Sequence, residues 1–129
     1  MVNVVIVKDS RYKINKSALQ ESLIRVLVSH KITGDVEVEV NIVGDRKMRE
    51  LNKKYCQIDD TTDVLSFSLV ESGKMGFISV PDKTLRLGSI VISYPQAVDN
   101  AVEKSKSVED EINFLAEHGC LHLLGIHHE

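Results

Sequence analysis

Four of the five histidines in this 129-residue chain fall within its last twelve residues, at His118, His122, His127 and His128. Residues four apart on a helix stand one above the other, so His118 and His122 are expected on one face. Two imidazoles at that spacing can share a metal ion with little distortion. Gly125 permits a left-handed turn that ends the helix and swings the chain back. His128 then reaches the same ion from a third direction. Three neutral imidazoles leave one position of a tetrahedral zinc open, which is the arrangement of a catalytic site rather than a closed structural one. Zinc is redox-inert and lowers the pKa of bound water to about 7, so the expected chemistry is hydrolysis or another Lewis-acid step.

The neighbouring residues fit this reading less directly. Cys120 is two residues from His118 and points elsewhere on a helix. His127, adjacent to His128, is expected to face solvent or to orient a ligand from behind. Leucines and glycines interleave at helical spacing, which separates the segment from a plain histidine tract. The spacing H-x-x-x-H-x-x-G-x-x-H is also that of the metzincin proteases. Those enzymes need Glu after the first His as general base, and Gly119 stands there instead, which argues against peptide hydrolysis.

Several elements must position these residues. Val4 to Val7 reads as a buried strand. Asn15 or Ser17 can cap a helix with Leu19, Leu23, Val26 and Leu27 on one face. Gly34 and Asp35 mark a turn. Val36, Val38, Val40 and Ile42 then alternate with Glu37, Glu39 and Asn41, the pattern of a half-solvated strand. Asp45 is expected to cap a short helix that carries Met48, Leu51 and Tyr55 toward the core. Val64 to Leu69 and Leu87 to Ser93 are strand candidates, with a loop or irregular hairpin over 71–86. Pro95 suits the first turn of a helix to about Lys104, and Ser107 with Asp110 signals the last helix. The order β-α-β-α-β-(loop)-β-α-α predicts an α+β fold, a mixed four-stranded β-sheet packed with helices, its metal site at the C-terminal helix.

Composition sets the outer limits. The length suits one domain over 1–129, and 43% hydrophobic residues suffice for a core. Two cysteines make no disulfide framework. No run approaches the ~20 apolar residues of a membrane span, and the N-terminus lacks the marks of a signal peptide, so a cytoplasmic protein is expected. The net charge of −3 argues against a generally basic surface but leaves room for a local one. Arg46, Arg49 and Lys53 recur along one helix, flanked by Lys47 and Lys54, as a candidate phosphate-contact stripe.

Three segments carry a family resemblance. His118-Gly119-Cys120-Leu121-His122-Leu123-Leu124-Gly125-Ile126-His127-His128 fits the signature H-G-x-L-H-L-x-G-x-x-H. Leu51-Asn52-Lys53-Lys54-Tyr55, then Asp59 and Thr62-Asp63-Val64-Leu65-Ser66-Phe67, is similar to L-N-x-x-Y-R-x-x-D-x-P-T-[DN]-V-L-S-F. Leu87-Gly88-Ser89-Ile90-Val91-Ile92 resembles L-G-D-I-x-I. These are the motifs of the YbeY family of zinc-dependent endoribonucleases. The resemblance implies a cytoplasmic hydrolase that cuts single-stranded RNA in rRNA maturation, at the 16S rRNA 3′ end. It implies one zinc ion on His118, His122 and His128, and the small ribosomal subunit or its assembly factors as partners. Asp63, inside a matched segment, is a candidate catalytic helper. Cys56, Thr61 and Ser89 replace the Arg, Pro and Asp of the family pattern. Losing the guanidinium at 56 removes a planar bidentate donor. It keeps alive a second expectation, a zinc-containing ribosome-assembly factor with weak or no cleavage.

Overall fold

Eight elements form in the order the sequence predicts: β1 (Val2–Lys8), α1 (Lys16–Ser29), β2 (Val36–Val43), α2 (Asp45–Cys56), β3 (Val64–Ser68), β4 (Leu85–Ser93), α3 (Tyr94–Glu103) and α4 (Val108–Leu123). The structure is a computed structural model, and it describes residues 1–32, 34–69 and 85–126. The four strands make one mixed sheet in the order β1-β2-β4-β3. β1, β2 and β4 run parallel, and β3 returns antiparallel to β4 with Val64 opposite Ile92 and Ser68 opposite Gly88. A parallel pair needs a long crossover, and α1 supplies it between β1 and β2. The fold is therefore α+β, as expected.

Alternation along β2 decides which face is dry. Val36, Val38, Val40 and Ile42 are buried, with half-buried residues between them. Leu19, Leu23 and Leu27 of α1 and Ile112, Leu115, Ala116 and Cys120 of α4 close over that face in one apolar cluster. At roughly 1.5–3 kcal/mol for each large apolar side chain removed from water, this burial is the main force holding α4 to the sheet. Asn15 is the cap of α1, its side chain accepting the amide of Ala18 at 3.0 Å. Ser107 caps α4 in the same way through Asp110.

Four expectations need correction. Val4 alone in β1 is fully buried, and Val5 and Val7 are exposed on the opposite sheet face, so β1 is a half-solvated strand. The N-cap of α2 is Gly44, without a side-chain cap bond, and Asp45 is the first helical residue. The Asp45 carboxylate instead accepts from Thr61, Ser93 and Gln96, tying α2 to the start of α3. Tyr55 does not reach the core; it is 53% exposed, while Met48 is fully buried. Leu85 and Arg86 already belong to β4, so that strand begins earlier than the expected loop allows; the rest of that loop, 71–84, lies outside the described residues.

One polar cluster sits beneath α4. Glu111 is fully buried, and its carboxylate accepts from Lys106 at 2.9 Å, Lys104 at 3.2 Å and Asn100 at 3.1 Å. Burial alone would raise its pKa, but the hydrogen bonds from Lys106, Asn100 and Lys104 outweigh it and hold the carboxyl below its ordinary range. A carboxylate with a lowered folded pKa stabilises the native state above its ordinary pKa of about 4.3, and the stabilisation disappears as pH falls below that. Glu111→Gln should therefore cost about 2 kcal/mol at pH 7, the scale of hydrogen bonds to a charged group. Urea unfolding at pH 7 and pH 3 checks this: the gap between wild type and variant should shrink at the lower pH, and a gap independent of pH would contradict it.

Candidate metal centre

α4 is held unusually close to the sheet at Gly119. A Cβ there would sit 2.7 Å from Cγ2 of Ile90 and 3.1 Å from Oγ of Ser66. Ser66 also donates to the carbonyl of Gly119 at 3.2 Å, pinning β3 to the helix. The absent side chain lets the helix seat itself so that the residues on either side of 119 border β3. Gly119 is thus where a protease-type carboxylate has no room, which explains the residue that separates this motif from the metzincin one.

His118 and His122 are brought together as their spacing predicts. Their ring centroids are 4.4 Å apart and tilted by 49°. Both half-buried rings border a cavity of about 370 Å³ whose other walls include Val64, Ser66 and Ser68 of β3 and Leu123. Phe114, one turn earlier on α4, lies nearly parallel to the His118 ring at 6.3 Å, with Lys104 and Lys106 each 4.7 Å from its centre. Gly125 has φ of +81°, the left-handed turn expected after the helix. His127 and His128 lie outside the described residues. Among the described residues no three His, Cys, Asp or Glu side chains gather as a ligand set; His118 and His122 stand as a pair. The donor chemistry fits a borderline metal such as zinc, since both groups are imidazoles facing one open cavity.

Cys120 points away from this pair, as expected. It is fully buried in the core, and burial, with the nearby Glu117 charge second, pushes its thiol up to about 12. Glu117 turns instead toward α1, where it accepts a hydrogen bond from the buried Ser22.

The remaining sequence candidates lie apart from the cavity wall. Asp63 immediately precedes β3, and its Oδ2 accepts from Asn100 at 3.1 Å. The same Asn100 nitrogen donates to Glu111, so the start of β3 is fastened to α3 and α4 through one amide. Arg49 pairs with Asp59 at 2.8 Å, which holds the Asp59 carboxyl low and the guanidinium high. Lys53 is 4.0 Å from the same carboxylate, and Arg46 is 3.9 Å from Glu50. Cys56, at the end of α2, is exposed. Sequence reasoning missed Asn100 and Glu111, because a buried polar cluster has no local pattern; only the unusual placement of Glu111 on the apolar stripe of α4 hinted at it.

A small α+β protein, with paired imidazoles on its last helix opening into a groove along an antiparallel strand, is the class that fold and site define. The chain belongs to the YbeY family: the family model described as Endoribonuclease YbeY matches residues 4–129. It is 36% identical over 135 residues to Endoribonuclease YbeY of Dehalococcoides mccartyi, covering 99% of this chain and 78% of that protein. It is 40% identical over 114 residues to Endoribonuclease YbeY of Moorella thermoacetica, covering 88% and 73%. Among solved structures, a Thermotoga maritima protein determined in solution superposes with a TM-score of 0.58 at 30% identity, covering 100% of this chain and 75% of that one.

The seating at Gly119 yields a test. Gly119→Ala overpacks the α4–sheet contact, which costs about 1–3 kcal/mol in a well-packed core. It should also weaken zinc binding in a chelator competition, because the imidazole pair moves with the helix. Unchanged stability together with unchanged zinc affinity would contradict the close-packing account.

Proposed function

We propose that this chain is a zinc-dependent endoribonuclease that cuts single-stranded RNA during rRNA maturation, at the 16S rRNA 3′ end. The observation that carries the reading is the His118–His122 pair facing a groove along β3. Membership of a family described as endoribonucleases supports RNA as the substrate class.

One zinc ion on His118, His122 and His128 would supply Lewis acidity and an activated water near neutral pH. His128 enters from the motif alone. The other residues shape the site. Gly119 keeps the helix close, Ser66 is committed to the Gly119 carbonyl and leaves the chemistry to other groups, and β3 offers a wall along which an extended strand can lie. Asp63 assists at one remove: its carboxylate, held by Asn100, fixes the start of β3. Arg46, Arg49 and Lys53 are exposed phosphate contacts in competition with Glu50 and Asp59. Residues 1–129 act as one domain, which the shared sheet and core of the described residues support. Precursor rRNA places the work in the cytoplasm with the small ribosomal subunit and its assembly factors. No helix among the described residues is long and apolar enough to cross a membrane.

A second reading keeps the zinc and loses the turnover: a ribosome-assembly factor with weak or absent cleavage. It is favoured by the exposed thiol of Cys56 at the position of the family's guanidinium. The two readings part in one experiment. Zinc-loaded wild type and His122→Ala, purified identically, are given single-stranded RNA carrying an rRNA 3′ end. The endoribonuclease should yield products that fall at least a hundredfold in the variant and vanish with chelator. Equal products from both proteins would trace the cleavage to a contaminant and leave the assembly-factor reading standing.

A further inference from the structure

The sheet has a second face, and most of the molecule ignores it. α1 leaves the carboxyl end of β1 and packs over Val38 and Val40, whereas α2 leaves β2 and borders the opposite face through Leu51 and Tyr55. Adjacent parallel strands whose connections depart to opposite faces open a crevice at their carboxyl ends, the usual ligand position in open sheets containing parallel strands. A cavity of about 400 Å³ occupies that place, between Lys8, Arg11 and Tyr12 on one side and Asn41, Gly44 and Lys47 on the other. It shares Asn41, Val43 and Lys47 with a second cavity of about 370 Å³ that reaches Tyr55 and Phe67. Together they form a trough from β1 to β3. Three strand spacings of ~4.8 Å make its width across the sheet about 14 Å.

The charges in this trough differ from those on the outer side of α2. Among the described residues Lys8 and Lys47 make no ion pair within 4 Å, although the Lys8 charge helps to lower the Asp9 carboxyl, while Arg46, Arg49 and Lys53 each have one. Asp9, the carboxylate beside Arg11, is already engaged by the Arg11 amide at 2.8 Å and Nε at 3.1 Å. Glu39, which β2 presents on the same face, accepts from Ser89 at 3.1 Å. At the other end Tyr55, half-exposed, meets Phe67 edge-on at 5.2 Å and has Lys54 Nζ 5.1 Å from its ring. Cations at one end and at the other an aromatic pair, with Tyr55 exposed and Phe67 half-buried, match a single strand of nucleic acid, whose phosphates need the first and whose bases stack on the second.

We propose that this open face is a second contact surface for single-stranded RNA. Lys8, Arg11 and Lys47 hold backbone phosphates, and Tyr55 with Phe67 stacks a base where the strand turns toward the β3 edge. The inference rests on the RNA reading above and extends it to the other face of the sheet from the imidazole pair. A strand engaging both places wraps the edge of the sheet, so substrate length becomes a determinant of binding.

The test uses the full chain and Lys8→Glu/Lys47→Glu, with Arg25→Glu/Lys16→Glu on α1 as a control of equal charge change. Anisotropy of a labelled 2′-O-methyl 12-mer gives affinity, and cleavage of ordinary RNA 12-mers and 4-mers gives turnover. The trough variant should bind the 12-mer at least tenfold more weakly than the control, with a salt slope shallower by about 1.4 for two lost contacts. Its loss in kcat/KM should be larger on the 12-mer than on the 4-mer, which is too short to span both places, and an equal loss on the two lengths would overturn the proposal. Wild type and trough variant binding the 12-mer equally would overturn the proposal, as would failure of the wild type to bind it. Inorganic phosphate that stabilises the wild type but not the trough variant, with RNA affinity equal in both, would assign the crevice to a free anion and overturn the RNA occupant. If the wild type binds the 12-mer through the trough but cleaves neither length, the nuclease reading fails and the surface assignment stands.

Discussion

The seating of α4 on the sheet is the constraint on which the rest depends. An α-helix approaches a sheet only as closely as the side chains between them allow, and at Gly119 there is none. Ile90 of β4 and Ser66 of β3 fill that space, so the helix face carrying His118 and His122 is drawn level with β3. The imidazole pair is then carried over the groove by the packing of its helix. Function and stability draw on the same contact, since Leu115, Ala116 and Cys120 enter the core from the turns on either side.

A second fastening works at the other end of the groove. Glu111 lies two turns before His118, where burial of a carboxylate would be costly without compensation. Two lysines and Asn100 compensate it, and Asn100 reaches on to Asp63 at the start of β3. The groove is therefore bordered before Val64 by a polar clamp and at Ser66 by the close approach of the helix. The clamp joins three separate segments, α3, α4 and β3, through one buried acid and one amide.

Much of this was legible in the sequence, for a definable reason. Features with a short period or a local cap read correctly: the alternation of β2, the caps Asn15 and Ser107, the four-residue histidine spacing and the left-handed Gly125. Features that depend on which face of the sheet an element meets did not. Tyr55 was expected inward because its helix was assumed to have one apolar stripe against the main core, yet α2 covers the second face only in part. Asp45 looks like a cap, but Gly44 takes that position and frees the carboxylate for a tertiary network. Arg46, Arg49 and Lys53 share a helical face, but only the fold reveals that Asp59 curls back onto two of them while Lys47 turns to the trough.

Zinc K-edge absorption spectroscopy on the purified chain tests the central claim most directly, because it reads the ligand set rather than its consequences. The account predicts one zinc per chain with nitrogen and oxygen neighbours only, at about 2.0–2.1 Å, the signature of three imidazoles and an open position. His122→Ala should lose the ion. A sulfur neighbour near about 2.3 Å would place Cys56 or Cys120 on the metal and contradict the assignment. Full zinc content in His122→Ala would contradict it as well.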